Sequence, residues 1–177
     1  TVRLDLADGF VDALEIAGVA LELAALTADR MRELAALWGG DFLEGLEIER
    51  SPAFAGWLAA QRRRFRSCRT ALLERLAASA ADDEAQPHLE KWLELAPFDR
   101  RAHERLLGVL ARSGRIREGE DHLEAAQRLF AADGLDGAPL RAAWRAARSS
   151  TQVVASVTAP AVPPPARDAH AVEATRR

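Results

Sequence analysis

The spacing of apolar positions changes along the chain. Residues 1–6, "TVRLDL", alternate apolar and polar, which is the two-residue period of a strand. After the turn "ADG", a helix is predicted from a cap at Asp12 to about Leu26, carrying Leu14, Val19, Leu21 and Leu23. A second helix is predicted from near Asp29, capped within "TAD", through Met31, Leu34, Ala35 and Leu37 to Trp38. Gly39 and Gly40 are expected to end it by entering the left-handed conformation that helix C-termini favour. Ser51 and Pro52 then start a long helix to Ala80: a cap residue, followed by proline where its missing N–H costs nothing. Its stripe of Phe54, Trp57, Leu58, Gln61, Phe65, Cys68, Leu72, Leu73 and Leu76 steps by three and four. Cys68 falls on that stripe and reads as a small core residue.

Beyond residue 80 the pattern repeats with a shift of 34. Leu72, Leu73 and Leu76 align with Leu106, Leu107 and Leu110; Ala80 and Ala85 with Gly114 and Gly119; Leu89 and Trp92 with Leu123 and Ala126. A period of 34 is that of a helix–turn–helix tetratricopeptide unit. Pro97 ends the first unit, Asp99 is placed to cap the next helix, and "SGR" at 113–115 turns the second pair. Gly119 inside a helix costs about 1 kcal/mol against Ala, so a tight contact is expected there. A short helix over Ala138–Ala147, with Leu140 and Trp144 at i and i+4, is expected to close the open end of the stack. Residues 149–177 have prolines, small residues and no apolar period, and read as a disordered tail or linker.

Composition supports a helical globular domain: 49% hydrophobic, 29% charged, no Tyr, with Ala, Leu and Arg prominent. No apolar run approaches the roughly eighteen residues that cross a bilayer. One cysteine forms no internal disulfide, and the expected compartment is the cytoplasm. Charge is unevenly spread. Residues 1–50 hold eleven acids against four Arg, a balance of −7, whereas residues 61–75 hold six Arg against one Glu, a balance of +5. Such a contrast can steer a partner or can be two solvated helix faces.

The search for chemistry centres on "LWGGDFLEGL" at 37–46. A phosphate loop needs Lys and Ser or Thr after its glycines, and the only lysine is Lys91. A dinucleotide fingerprint needs a preceding strand and G-x-G-x-x-G, neither of which is present. Asp41, Glu44, Glu47 and Glu49 lack the spacing of a calcium loop. His88, His103, His122 and His170 lack metal-ligand spacing, and no nucleophile elbow occurs. The sequence therefore predicts no catalytic residue, no metal and no cofactor. What remains is "QRRRFRSCR", where Arg62, Arg63, Arg66 and Arg69 can share one side of the long helix and meet phosphates or an acidic protein surface. Snorkelling surface arginines are the competing reading. The corner itself reads as structure, with Trp38, Phe42, Leu43 and Leu46 expected to pin it into the core near Trp57.

The order "LWGGDFLEGL", "SPAFAGWLAAQRRRFR" and "LELAPFDRRAHERLLGVLARSGR" resembles the bacterial transcriptional activator domain of SARP-type regulators, over roughly residues 1–147. The resemblance implies a non-catalytic regulatory domain that self-associates or contacts RNA polymerase. It also implies a winged-helix domain upstream that reads DNA, leaving this fragment with weak DNA binding or none. On that basis residues 1–11 are a strand remnant and junction, 12–148 the helical domain, and 149–177 a tail. The expected fold is all-α: a tetratricopeptide-like, right-handed stack of antiparallel helix pairs. A general tetratricopeptide scaffold of a multidomain signalling protein, with no DNA role, fits the helical pattern as well.

Overall fold

The computed structural model describes residues 11–19, 25–47 and 51–158. Among these residues it is all-helical, with no strand, and has the tetratricopeptide-like stacking expected from the 34-residue period. The helices are α1 (Asp12–Val19), α2 (Ala28–Ala36), α3 (Pro52–Ser79), α4 (Asp82–Leu95), α5 (Arg100–Arg112), α6 (Ile116–Ala132) and α7 (Ala138–Thr158). The predicted strand at residues 1–6 lies outside the described residues, as do 20–24, where the first helix was expected to continue.

Local chemistry explains three of the helix starts. Thr27 accepts the Arg30 N–H at the head of α2, and Ser51 accepts the Phe54 N–H ahead of Pro52 at the head of α3. Asp99 accepts the Arg101 N–H at the head of α5. Asp12 differs from expectation. It is the first residue of α1, and the Val11 carbonyl in front of it accepts from the Leu14 and Glu15 N–H groups.

Helix ends depart further from the sequence reading. Neither Gly39 nor Gly40 enters the left-handed region; in this corner Leu43 (φ 49°) and Gly45 (φ 78°) do. α2 stops earlier, at Leu37, whose N–H bonds back to the Leu34 carbonyl. Gly114 (φ 71°), by contrast, makes the predicted turn between α5 and α6.

The core is laid down in adjoining blocks. Leu72 and Leu76 of α3 face Met31 and Leu34 of α2. Leu73, on the next face of α3, packs with Leu89 and Trp92 of α4 and Leu106 and Leu110 of α5. Leu107 and Ala111 of α5 meet Trp144 of α7, and Leu140 joins Ala126 and Phe130 of α6. Each block contacts chiefly its neighbours, as a stack of repeats requires. α3, at 28 residues, is twice as long as α4, at 14, so its N-terminal half projects beyond α4. The 37–47 corner lies against that half instead, with α1 across a cavity from Phe65.

The 34-residue register runs once further than the sequence reading took it. Leu140 continues the Leu72–Leu106 series and Trp144 the Leu76–Leu110 series, so α7 is the first helix of a third unit. α7 also continues to Thr158, past Ser149, where the tail was expected to begin. The Ala80–Gly114 series reaches Arg148 here, and no glycine breaks the helix. The Ser149, Ser150 and Thr151 hydroxyls donate to the Arg145, Ala146 and Ala147 carbonyls, spending on the helix the polar groups that made this stretch look like linker. Residues 159–177 lie outside the described residues.

Gly119 meets its predicted tight contact. A Cβ there would lie 2.3 Å from the Trp144 ring. The bare backbone of α6 is what lets the indole of α7 lie against it.

Candidate functional site

The corner at 37–47 is fastened to the projecting half of α3 by two of the four arginines singled out above. Arg62 donates to the carbonyls of Phe42 (3.0 Å), Leu43 (2.7 Å) and Leu46 (3.4 Å). A planar guanidinium offers several donors in a fixed fork, which suits a turn whose carbonyls converge. Arg66 makes a two-pronged pair with Asp41, its Nε lying 2.9 Å from one carboxylate oxygen and its terminal amine on the other. That hydrogen bond, with the added field of Arg66, Arg62 and Arg69, holds the Asp41 carboxyl below the usual carboxylate range. Arg63 is exposed and makes no ion pair among the described residues. Arg69 lies one turn further on and faces a different cleft, between α2 and α4. The structure thus divides the predicted stripe: Arg62 and Arg66 grip the corner, and Arg63 and Arg69 point elsewhere.

Aromatic rings line the same face. Phe42 stacks on Phe65 at 4.7 Å between centroids and meets Trp57 edge-on at 6.1 Å; Trp57 in turn lies 5.3 Å from Phe54. The expectation that the corner sinks into the core holds only in part. Trp38 packs against the Met31–Leu72 block, and Phe42 is half-buried. Leu43 and Leu46 remain 44% and 38% exposed, and Trp57 is 46% exposed. The reason is geometric: the Arg62 fork holds the corner by its carbonyls, which turns the leucine side chains outward. Beside them runs a groove of about 510 Å³, with Leu46, Phe54, Leu58 and Ala59 on its walls and Arg62 and Arg63 at its edge. On the other side an apolar cavity of about 500 Å³ lies between α1 and the corner, lined by Val11, Leu14, Ile16, Trp38, Phe42 and Phe65.

His103 and His122 form an arrangement that sequence spacing did not announce. His103 of α5 and His122 of α6 face each other, Nδ1 to Nε2, at 3.0 Å, and His103 Nε2 lies 2.8 Å from the Pro97 carbonyl. A carbonyl only accepts, so His103 carries its proton on Nε2 and its Nδ1 accepts from His122 Nε2–H. Burial, then the neighbouring His103, pushes the His122 pKa down to about 4. The chain of hydrogen bonds from the Pro97 carbonyl through His103 to His122 ties α5 to α6. No cluster of three metal-ligating side chains occurs among the described residues. Burial also raises the Cys68 thiol, which disfavours the reactive thiolate.

No helix of the described residues is long and apolar enough to cross a membrane. No curated protein and no solved structure matches the chain. A family model does match, the bacterial transcriptional activator domain, over residues 10–150, the span that holds the corner, its arginine fork and every described helix up to the last turns of α7. The chain belongs to the bacterial transcriptional activator domain family of SARP-type regulators.

Proposed function

We propose that this domain is the non-catalytic, protein-binding part of a bacterial transcriptional activator, acting in the cytoplasm. It self-associates or contacts RNA polymerase, while DNA is read by a winged-helix domain upstream. The observation that carries this reading is the apolar surface at the corner: Trp57, Leu43 and Leu46 stand exposed beside a groove, in a family of regulators. Large apolar side chains grouped at a surface and flanked by arginine are the composition of a protein interface. The arginines argue against a phosphate ladder, because Arg62 and Arg66 are already committed to carbonyls and to Asp41.

The chain alone is expected to bind duplex DNA weakly and without sequence preference. Each phosphate it neutralised would add about 0.9 to the slope of log K against log salt. Tight, sequence-dependent gel shifts near physiological salt would sink the division of labour. Light scattering at tens of micromolar tests self-association, and a monomer there would leave polymerase contact as the remaining role. Reading the gene upstream of Thr1 separates an activator from a general tetratricopeptide scaffold, which would carry some domain other than a winged helix.

A further inference from the structure

α2, α3 and α4 converge on a small cleft away from the corner. It encloses about 190 Å³. Arg32 comes from α2, Arg69 from α3, and His88 and Lys91 from α4, over an apolar floor that includes Leu72 and Leu73. No carboxylate lines it. Arg69 and Lys91 form no ion pair among the described residues, and Arg32 leans on the exposed Asp29 at 2.5 Å. The His88 imidazole registers the imbalance. Burial lowers its pKa first, and Lys91 and Arg32 lower it further, with Glu84 alone opposing. Cations gathered over an apolar floor with no carboxylate in the lining strengthen their hold on an anion, because the low-dielectric wall screens less than water.

We propose that this cleft binds a phosphate monoester dianion, held by Arg69 and Lys91 with Arg32 and His88 at its rim. The volume suits one phosphoryl group rather than a length of nucleic-acid backbone, and contributions from three helices make the cleft depend on the folded stack. The inference does not rest on the activator reading.

The test follows the His88 imidazole by NMR in the intact chain, against Lys91, Arg32, Arg69 and Glu84 as its charged neighbours. The probes are inorganic phosphate, a phosphoserine peptide with its unphosphorylated twin, and a DNA duplex. Saturable shifts with phosphate or phosphopeptide, and a His88 titration midpoint that rises on binding, are expected. Which of the two binds more tightly distinguishes a free from a protein-borne phosphate. Lys91→Gln, an exposed change, and Arg69→Gln should each weaken binding about tenfold, as loss of one charge-assisted hydrogen bond does. The site is refuted by no saturable shift, by shifts unchanged in the double variant, or by a response to DNA alone. It is equally refuted if the variants lower only the melting temperature, since the cations would then serve the carbonyl end of α2.

Discussion

Removing the Arg62 guanidinium orphans three carbonyls of the corner at once, those of Phe42, Leu43 and Leu46. Water can reach part of this turn, so Arg62→Ala is expected to cost about 1–2 kcal/mol in urea unfolding. Arg62→Lys should recover little, because an ammonium cannot reproduce the fork. If Lys restores full stability, the carbonyl geometry is irrelevant and charge alone acts. The other residue with a measurable signature is His122. Its folded pKa, about 4, lies below the ordinary histidine value, so the folded state resists the proton that the unfolded chain takes up. This contribution is therefore whole above about pH 6.5 and declines as pH falls toward 4, where the accumulated loss reaches about 2–3 kcal/mol. Unfolding free energies at pH 7 and 4.5 should differ less in His122→Gln than in the parent; an equal difference would place the acid sensitivity elsewhere. Neither feature could be read from the sequence. Arg62 reaches carbonyls sixteen to twenty positions away, and backbone acceptors carry no residue code. His103 and His122 are nineteen residues apart on separate helices and meet only once α5 and α6 pack.

At the scale of the element, α6 and α7 meet at an exchange of volume: no side chain at Gly119, an indole at Trp144. Gly119→Ala should destabilise by about 1–3 kcal/mol through overpacking, despite the better helix propensity of Ala. Trp144→Ala should cost about 3–5 kcal/mol. The two losses should not add, since removing the ring frees the space that the methyl needs. Gly56→Ala, in α3 with nothing within 4 Å, should instead stabilise by about 0.5–1 kcal/mol. Thermal unfolding of the single variants and of the Gly119–Trp144 double variant checks these, and strict additivity of Gly119 and Trp144 would deny the contact. The Gly119 contact was visible in advance because a glycine inside an amphipathic helix is a local anomaly. The length of α7 was not, because Ser and Thr that bond back to their own helix look the same in sequence as Ser and Thr in a linker.

For the molecule as a whole, the architecture was legible because a repeated unit writes its core twice, and the 34-residue spacing survives any single substitution. Interhelical pairs reinforce it: Arg112 of α5 grips both oxygens of Asp82 at the head of α4, at 2.8 and 2.7 Å, and Arg148 of α7 reaches Glu120 of α6 at 3.0 Å. What stayed hidden are surfaces assembled from separate helices. The basic cleft takes residues 32, 69, 88 and 91, which share no motif. The third step of the register, Leu140 and Trp144 after Leu106 and Leu110, makes the array modular at its α7 end. The position equivalent to Gly114 is Arg148, and the helix runs on where the earlier units turn. A chain carrying Arg148→Gly, followed by a second copy of residues 115–132, would complete the unfinished unit. Its melting temperature should rise by the increment that one new interface adds to a one-dimensional array. The stack could then be lengthened by engineering, unit by unit, from that end alone, leaving the corner and its arginine fork untouched.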